Sequence, residues 1–224
     1  MERTKVIILG GLGTAINIAE GLYDAQHKHN APVEFIGFAF DDEKSGDSIN
    51  GFPRLCGTKE AWKLYENQPD VKFIFQMNHQ EKMVERAQLI EEYGIPPSRW
   101  FTFIHPTAYV ARSVEIGYGT VVFAGCAIHS NARIGNHCTF SALTTIGHDT
   151  VVGNHVFTAT HVCIGSSVQM GENLFIGQNV TITAGVKIGA NNLLGLGTTI
   201  IKDISEVNKV IVGHPGKILR DIKR

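Results

Sequence analysis

Few of the side chains able to move a proton stand beside one that could help. The chain carries ten histidines, and His105, His129, His137, His148, His155 and His161 lie between residues 104 and 200. Of these six, His148 alone is followed directly by a carboxylate, Asp149. An imidazole titrates near neutral pH, and a carboxylate on its other ring nitrogen fixes the tautomer and stabilises the imidazolium. His148 and Asp149 are therefore a candidate general base and its partner. A solvent-facing turn histidine is the plainer reading. Neighbouring side chains on a straight strand point apart, so the pair needs a corner in the backbone to meet.

Two other segments could hold charged groups. Gly10, Gly11, Leu12 and Gly13 follow an apolar strand and precede a helix, with Asp41 and Asp42 ending the next strand. Bare backbone and a helix start can cradle a phosphate, although Ile16 stands where the third glycine of a full dinucleotide fingerprint belongs. A tight strand-to-helix turn without a ligand explains the same residues. Near the end, Gly213-His214-Pro215-Gly216-Lys217 with Arg220 could contact phosphate; a solvated basic tail ending in Lys223 and Arg224 is the alternative. His137 and His155 are 18 residues apart and could stack as a metal pair, but a ladder of surface histidines is the plainer reading, and no metal is expected.

What positions these residues is a repeat. Taking every sixth residue from Ile104 to Ile200, sixteen of seventeen are apolar, Thr158 being the exception. Glycine follows in nine of the fifteen hexads from Ile116 onward, which reads as relief for a turn. The position two before is mostly small or apolar, as at Cys126, Ala132 and Val180. A period of six fits a solenoid with three short faces, 18 residues per coil, and parallel strands stacked between coils. His148 falls just after the Gly147 turn, facing outward near a corner. Ser166 in Gly165-Ser166 lies one coil further on.

Ahead of the repeat, Lys5–Gly10, Val33–Phe40 and Val71–Met77 read as strands, with helices over 14–26, 59–66 and 80–93. A last strand is expected over Trp100–Ile104. This βαβ alternation predicts a small parallel sheet. The division is an α/β domain over 1–103 and an all-β solenoid domain over 104–224.

Composition narrows the class. With 20 basic and 21 acidic residues there is no bias toward nucleic acid. No run is long enough for a membrane span, and the opening apolar stretch is too short for an export signal. Cys56, Cys126, Cys138 and Cys163 show no CxxC spacing and read as buried free thiols of a reducing compartment. A cytoplasmic protein is expected.

In order, the Gly10–Gly13 turn, Asp41-Asp42, Ile104-His105-Pro106, Ile146-Gly147-His148-Asp149 and Val212-Gly213-His214-Pro215-Gly216 resemble the bacterial sugar O- and N-acetyltransferases, a group within the hexapeptide-repeat acyltransferases. Leu12, Thr14, Gly147 and Gly216 depart from that group's usual residues. The resemblance implies a Rossmann-like N-terminal domain, a left-handed parallel β-helix and a homotrimer with acetyl-CoA between subunits. It also implies that His148 is the general base and Asp149 its partner. Gly165 and Ser166 would meet the thioester, and Gly213, Pro215, Lys217 and Arg220 would contact CoA. Gly10 to Gly13 with Asp41 and Asp42 would hold a nucleotide-linked amino sugar. The expected reaction is direct acetyl transfer to the sugar amine, with no acyl-enzyme. Transfer to a sugar hydroxyl, as on sialic acid, is the nearest alternative; a metal-dependent hydratase and a non-catalytic solenoid belong to other classes.

Overall fold

The computed structural model of the chain describes residues 3–42 and 46–223, so Arg224 of the basic tail lies outside the described residues. The N-terminal layer runs β1 (Thr4–Leu9), α1 (Thr14–His29), β2 (Val33–Ala39), β3 (Ser48–Ile49), β4 (Phe52–Cys56), α2 (Ala61–Tyr65), β5 (Val71–Phe75) and α3 (Met83–Glu92). Its sheet has the order β3-β4-β2-β1-β5, with β4, β2, β1 and β5 parallel and β3 antiparallel to β4. In the central strand, Val6, Ile7, Ile8 and Leu9 are all fully buried, because helices cover both faces. In α1, Ala15, Ile18, Ala19, Leu22 and Ala25 form the apolar stripe that packs on one of those faces. The left-handed Asn30 stops the helix, its N–H donating to the Ala25 carbonyl.

From β6 (Phe103–Ile104) to β22 (Thr199–Ile200), two-residue strands recur every six residues. Up to Thr181–Ile182, each pairs in parallel with the strand 18 residues on, so Ile146, Ile164, Ile182 and Ile200 stack in register. Three sheets result. The first face begins at β6, the second at β7 (Tyr109–Val110), and the third at β8 (Glu115–Ile116). From Val122 onward every sixth residue is buried. Ile104 is 40% exposed and Val110 and Ile116 are half-buried, because no coil lies beneath the first one. Thr158 is tolerated inside because its hydroxyl shares a hydrogen bond with that of Thr144 at 3.0 Å. β23 (Lys209–Val212) adds to the first face, and β24 (Lys217–Asp221) pairs antiparallel to it.

Two expectations are corrected. The apolar run Trp100–Ile104 is not a strand of the N-terminal sheet: Trp100 makes a single bridge to Phe73, while Phe103–Ile104 pairs with Val121–Val122 of the solenoid. The glycines after the inward residues do not relieve backbone strain. None of them has a positive φ; a Cβ on Gly147 would instead lie 2.5 Å from the Ser166 nitrogen, and one on Gly165 2.5 Å from the Ala184 nitrogen. They are small because the coils touch there. The left-handed residue comes two positions later, at Asn131, His137, Leu143, Asp149, His155, His161, Ser167, Asn173 and Asn179 among others.

The two parts share a polar contact. Arg86 of α3 is 3% exposed and, among the described residues, forms no ion pair. Its guanidinium donates to the His137 carbonyl at 3.2 Å and lies 5.4 Å above the Phe75 ring. Gln76 accepts from Thr139 at 3.1 Å, and Arg220 of β24 pairs with Glu81 at 2.7 Å. His137 and His155 stack with ring centroids 5.4 Å apart and planes 2° from parallel. Burial, and after it the nearby Arg86 charge, pushes both imidazoles down, to about 3 for His137 and about 4 for His155, so both are neutral near pH 7. Folded values below the ordinary 6.5 mean that the unfolded chain takes up protons first as pH falls. The contribution of these two histidines to stability is full above about pH 6.5 and is lost toward pH 4 and below. The melting temperature should therefore fall between pH 7 and pH 5. His155→Asn, the residue type at Asn173 and Asn191 in the same ladder, should flatten that dependence in thermal melts across the interval.

Candidate active site

The corner between the second and third faces carries the histidine and carboxylate singled out above. β13 (Thr145–Ile146) ends on the second face, Gly147 lets the coil pass beneath Ser166, and Asp149 turns left-handed at φ 59. That turn lets adjacent side chains converge, which a straight strand forbids. His148 Nδ1 and Asp149 Oδ2 are 2.6 Å apart. A carboxylate can only accept, so Nδ1 carries the proton and Nε2 is left as the basic nitrogen. The side chains remain 58% and 50% exposed, so the dyad is open to a substrate arriving from outside the chain. The hydrogen bond from His148, and then one from Asn131, hold the Asp149 carboxyl below its usual range.

Gly165 and Ser166 stack directly over Gly147 and His148: the Gly147 N–H donates to the Ile164 carbonyl and the Ser167 N–H to the His148 carbonyl, both at 2.8 Å. The Gly185 N–H donates to the Ser166 carbonyl at 2.9 Å, while the Ser166 N–H has no acceptor among the described residues. A backbone amide left without an acceptor can donate to an anionic oxygen.

The C-terminal turn docks at the far end of the second face. The Gly216 N–H donates to the Thr199 carbonyl at 2.8 Å, the Thr199 N–H to the Gly213 carbonyl at 3.0 Å, and His214 Nδ1 meets the Thr199 hydroxyl at 2.7 Å. Pro215, Gly216 and Lys217 border a depression of about 440 Å³. From this turn an outward column of Thr199, Thr181, Cys163 and Thr145 leads in register to the dyad. Three coil steps at the spacing of paired strands span about 14 Å. Arg220 is not part of this turn; its guanidinium is committed to Glu81.

The N-terminal residues lie elsewhere. A Cβ on Gly10 would collide with the Gln76 carbonyl, and one on Gly11 with Phe40 and Ile49, so packing explains both glycines. Leu12 is 65% exposed, and Gly13, at φ 53, faces open space at the start of α1. Asp41 accepts from the Thr58 N–H at 2.8 Å and from its hydroxyl at 2.6 Å, which ties the end of β2 to the turn before α2. Asp42 is exposed beside it. From Thr14 a groove of about 840 Å³ runs between α1 and the first face. Its floor includes Phe157 and Phe175, stacked with centroids 4.9 Å apart. His105 closes one end, buried against Asp24 at 3.2 Å. The groove reaches the first–second corner, at Ala159, Gln178 and Leu196, and does not include His148. The stacked phenylalanines escaped the sequence reading, although their spacing of 18 on an outward position was a signal for them. Among the described residues no group of three or more His, Cys, Asp or Glu gathers as a metal site, and no helix is long and apolar enough to cross a membrane.

Gly147→Ala tests the corner. A methyl group there meets backbone, which has no rotamer to move into. It should lower the melting temperature and disturb the dyad. Gly185→Ala, where the added Cβ meets nothing within 4 Å, should cost only the strain of φ 76.

No family model matches the chain. Among curated proteins, the acyl-[acyl-carrier-protein]–UDP-N-acetylglucosamine O-acyltransferase of Brucella ovis is 44% identical over 55 residues. That match takes in 22% of this chain, which spans only 20% of the enzyme's length. Solved structures match nearly end to end. The perosamine N-acetyltransferase of Caulobacter crescentus, in complex with CoA and GDP-perosamine, is 23% identical over 97% of both chains, with a TM-score of 0.80. The acetyltransferase domain of PglB from Neisseria gonorrhoeae is 24% identical over 97% of this chain and 100% of that one, with a TM-score of 0.82. WeeI from Acinetobacter baumannii is 21% identical, with a TM-score of 0.74. Over almost its whole length, this chain has the fold of the hexapeptide-repeat sugar acetyltransferases.

Proposed function

We propose that the protein transfers an acetyl group from acetyl-CoA to the amino group of a nucleotide-linked amino sugar. The observation that carries this reading is the exposed His148–Asp149 pair with the free Ser166 N–H one coil away. The N-terminal residues 1–103 act as a Rossmann-like domain that holds the nucleotide sugar, with Leu12 and Gly13 directly preceding Thr14, which lines the α1 groove. Residues 104–224 act as the acyltransferase domain, a left-handed β-helix. CoA is held by Gly213, Pro215 and Lys217, and its pantetheine arm follows the threonine column toward the dyad. The amine nitrogen attacks the thioester carbonyl, whose oxygen gathers charge near the Ser166 N–H. His148 Nε2 takes the proton from nitrogen, the C–S bond breaks, and the CoA thiolate recovers that proton. No cysteine takes part.

Within one chain the groove opens at one corner of the solenoid and the dyad stands at another. A homotrimer answers this by setting the dyad of one subunit against the groove of the next. Free thiols at all four cysteines fit a cytoplasmic location, although only Cys126 and Cys138 are buried as expected; Cys56 is half-buried and Cys163, on the outward position of its strand, is exposed.

The test is turnover with acetyl-CoA and a panel of UDP-, GDP- and dTDP-linked amino sugars, followed by release of free CoA. His148→Asn should lower kcat by about 10²–10⁴-fold and leave the KM for acetyl-CoA little changed. Native turnover in the folded variant would remove His148 from the chemistry, whereas activity on a sugar hydroxyl and none on any amine would move the reading to O-acetylation. Sedimentation should give a trimer; a fully active monomer would exclude a site shared between subunits.

A further inference from the structure

We propose that Asn131 is a positioning residue for the dyad: from one coil below, its amide holds the Asp149 carboxylate in the orientation that keeps the His148 proton on Nδ1. The proposal rests on reading His148 as the general base. Asp149 uses both oxygens. Oδ2 meets His148 Nδ1 at 2.6 Å, and Oδ1 accepts from Asn131 Nδ2 at 3.0 Å. Because the carboxylate can only accept, the amide must present its nitrogen.

Two anchors fix Asn131 itself. Its N–H donates to the Ser113 hydroxyl at 3.0 Å, and the Asp149 N–H donates to the Ser130 carbonyl at 3.0 Å, locking the two coils in register. A half-exposed carboxylate with a single partner turns easily about its terminal torsion, which is broad and two-fold. Water then competes for the imidazole. A second donor on the opposite oxygen removes that freedom and leaves His148 Nε2 unprotonated toward the substrate.

A purely structural account of Asn131 exists. Its φ is 60, a conformation in which asparagine is common. Asn173 and Asn191 make a similar contact at 3.0 Å on another corner, where no dyad stands. The same column, however, runs Ser113, Asn131, Asp149, Ser167, Gly185, and Gly185 at φ 76 meets the backbone demand without a side chain. Asn131→Gly therefore keeps the corner and removes only the amide.

The deciding measurement is the tautomer of His148, read from the ring ¹⁵N shifts of ligand-free protein at a pH where the imidazole is neutral. The native chain should show the proton on Nδ1. Asn131→Gly should move a substantial share to Nε2, the tautomer free histidine prefers. With the nucleotide-sugar panel, kcat should fall about tenfold, as when a group orienting a ligand from behind is lost, and the KM for acetyl-CoA should hold. If glycine leaves the corner too unstable to study, Asn131→Ser, the residue type of Ser167 in the same column, gives the same reading. An unchanged Nδ1–H tautomer in the folded variant overturns the proposal. A shifted tautomer in a protein whose native form acetylates no sugar keeps Asn131 as the positioning residue and discards the substrate reading instead.

Discussion

Three times in every coil the backbone must turn while staying within hydrogen-bonding distance of the coil above. Gly147 and Gly165 show how little room this leaves, since a single methyl group on either would run into the next coil's backbone nitrogen. The chain meets the constraint with a recurring order at its corners: an inward residue, at most of them a glycine where coils touch, and a left-handed residue two positions after that. The candidate chemistry is a by-product of that order. The left-handed turn at Asp149 brings adjacent side chains together, and the corner's tightness leaves the Ser166 amide bare. Asn131, holding the same corner position one coil earlier, comes within reach of Asp149 for the same reason.

The N-terminal layer sits where it does not cover this corner. It packs on the first face through Phe103 and Val121, and on the third–first corner through Arg86, His137 and Gln76. The second face and its corner with the third stay open. Burying a lone arginine is costly in principle. Here the guanidinium is spread over the Phe75 ring and a backbone carbonyl, and the nearby imidazoles are kept neutral by their own burial. This corner of the joint is thus polar with no ion pair at its centre among the described residues, and Arg220 with Glu81 supplies one at its edge.

Much of this could be read from the residues alone, for a physical reason. A solenoid writes its geometry at constant phase, so seventeen positions from Ile104 to Ile200 declare the coils before any contact is known. His148 and Asp149 stood out because adjacency in sequence became adjacency in space. The N-terminal strands were legible as apolar runs, but the β3–β4 hairpin was not. Its strands are short, and Gly51 and Pro53 read as loop residues. Trp100–Ile104 misled because an apolar run does not say which sheet it joins. Arg86 on an amphipathic helix reads as solvent-facing, and only the placement of the solenoid against α3 buries it. Asn131 shared its hexad phase with Asp149, yet the contact required knowing which residue of the corner turns left-handed. Leu143, Asn179 and His161 hold such positions too, so residue type alone gave no hint.

The register of the solenoid also makes it a ruler. Thr199, under the C-terminal turn, and Thr145, beside the dyad, are separated by whole coils and so lie on one line. Gaining or losing 18 residues between them would slide the two ends apart or together by about 4.8 Å with no rotation. Gaining or losing six would swing one end round by a face and break the line. Length changes that preserve alignment therefore come only in whole-coil steps, each comparable to a few methylene groups of a linear chain. A fold of this kind can set the reach between two sites as a discrete quantity, counted in coils and independent of what either site binds.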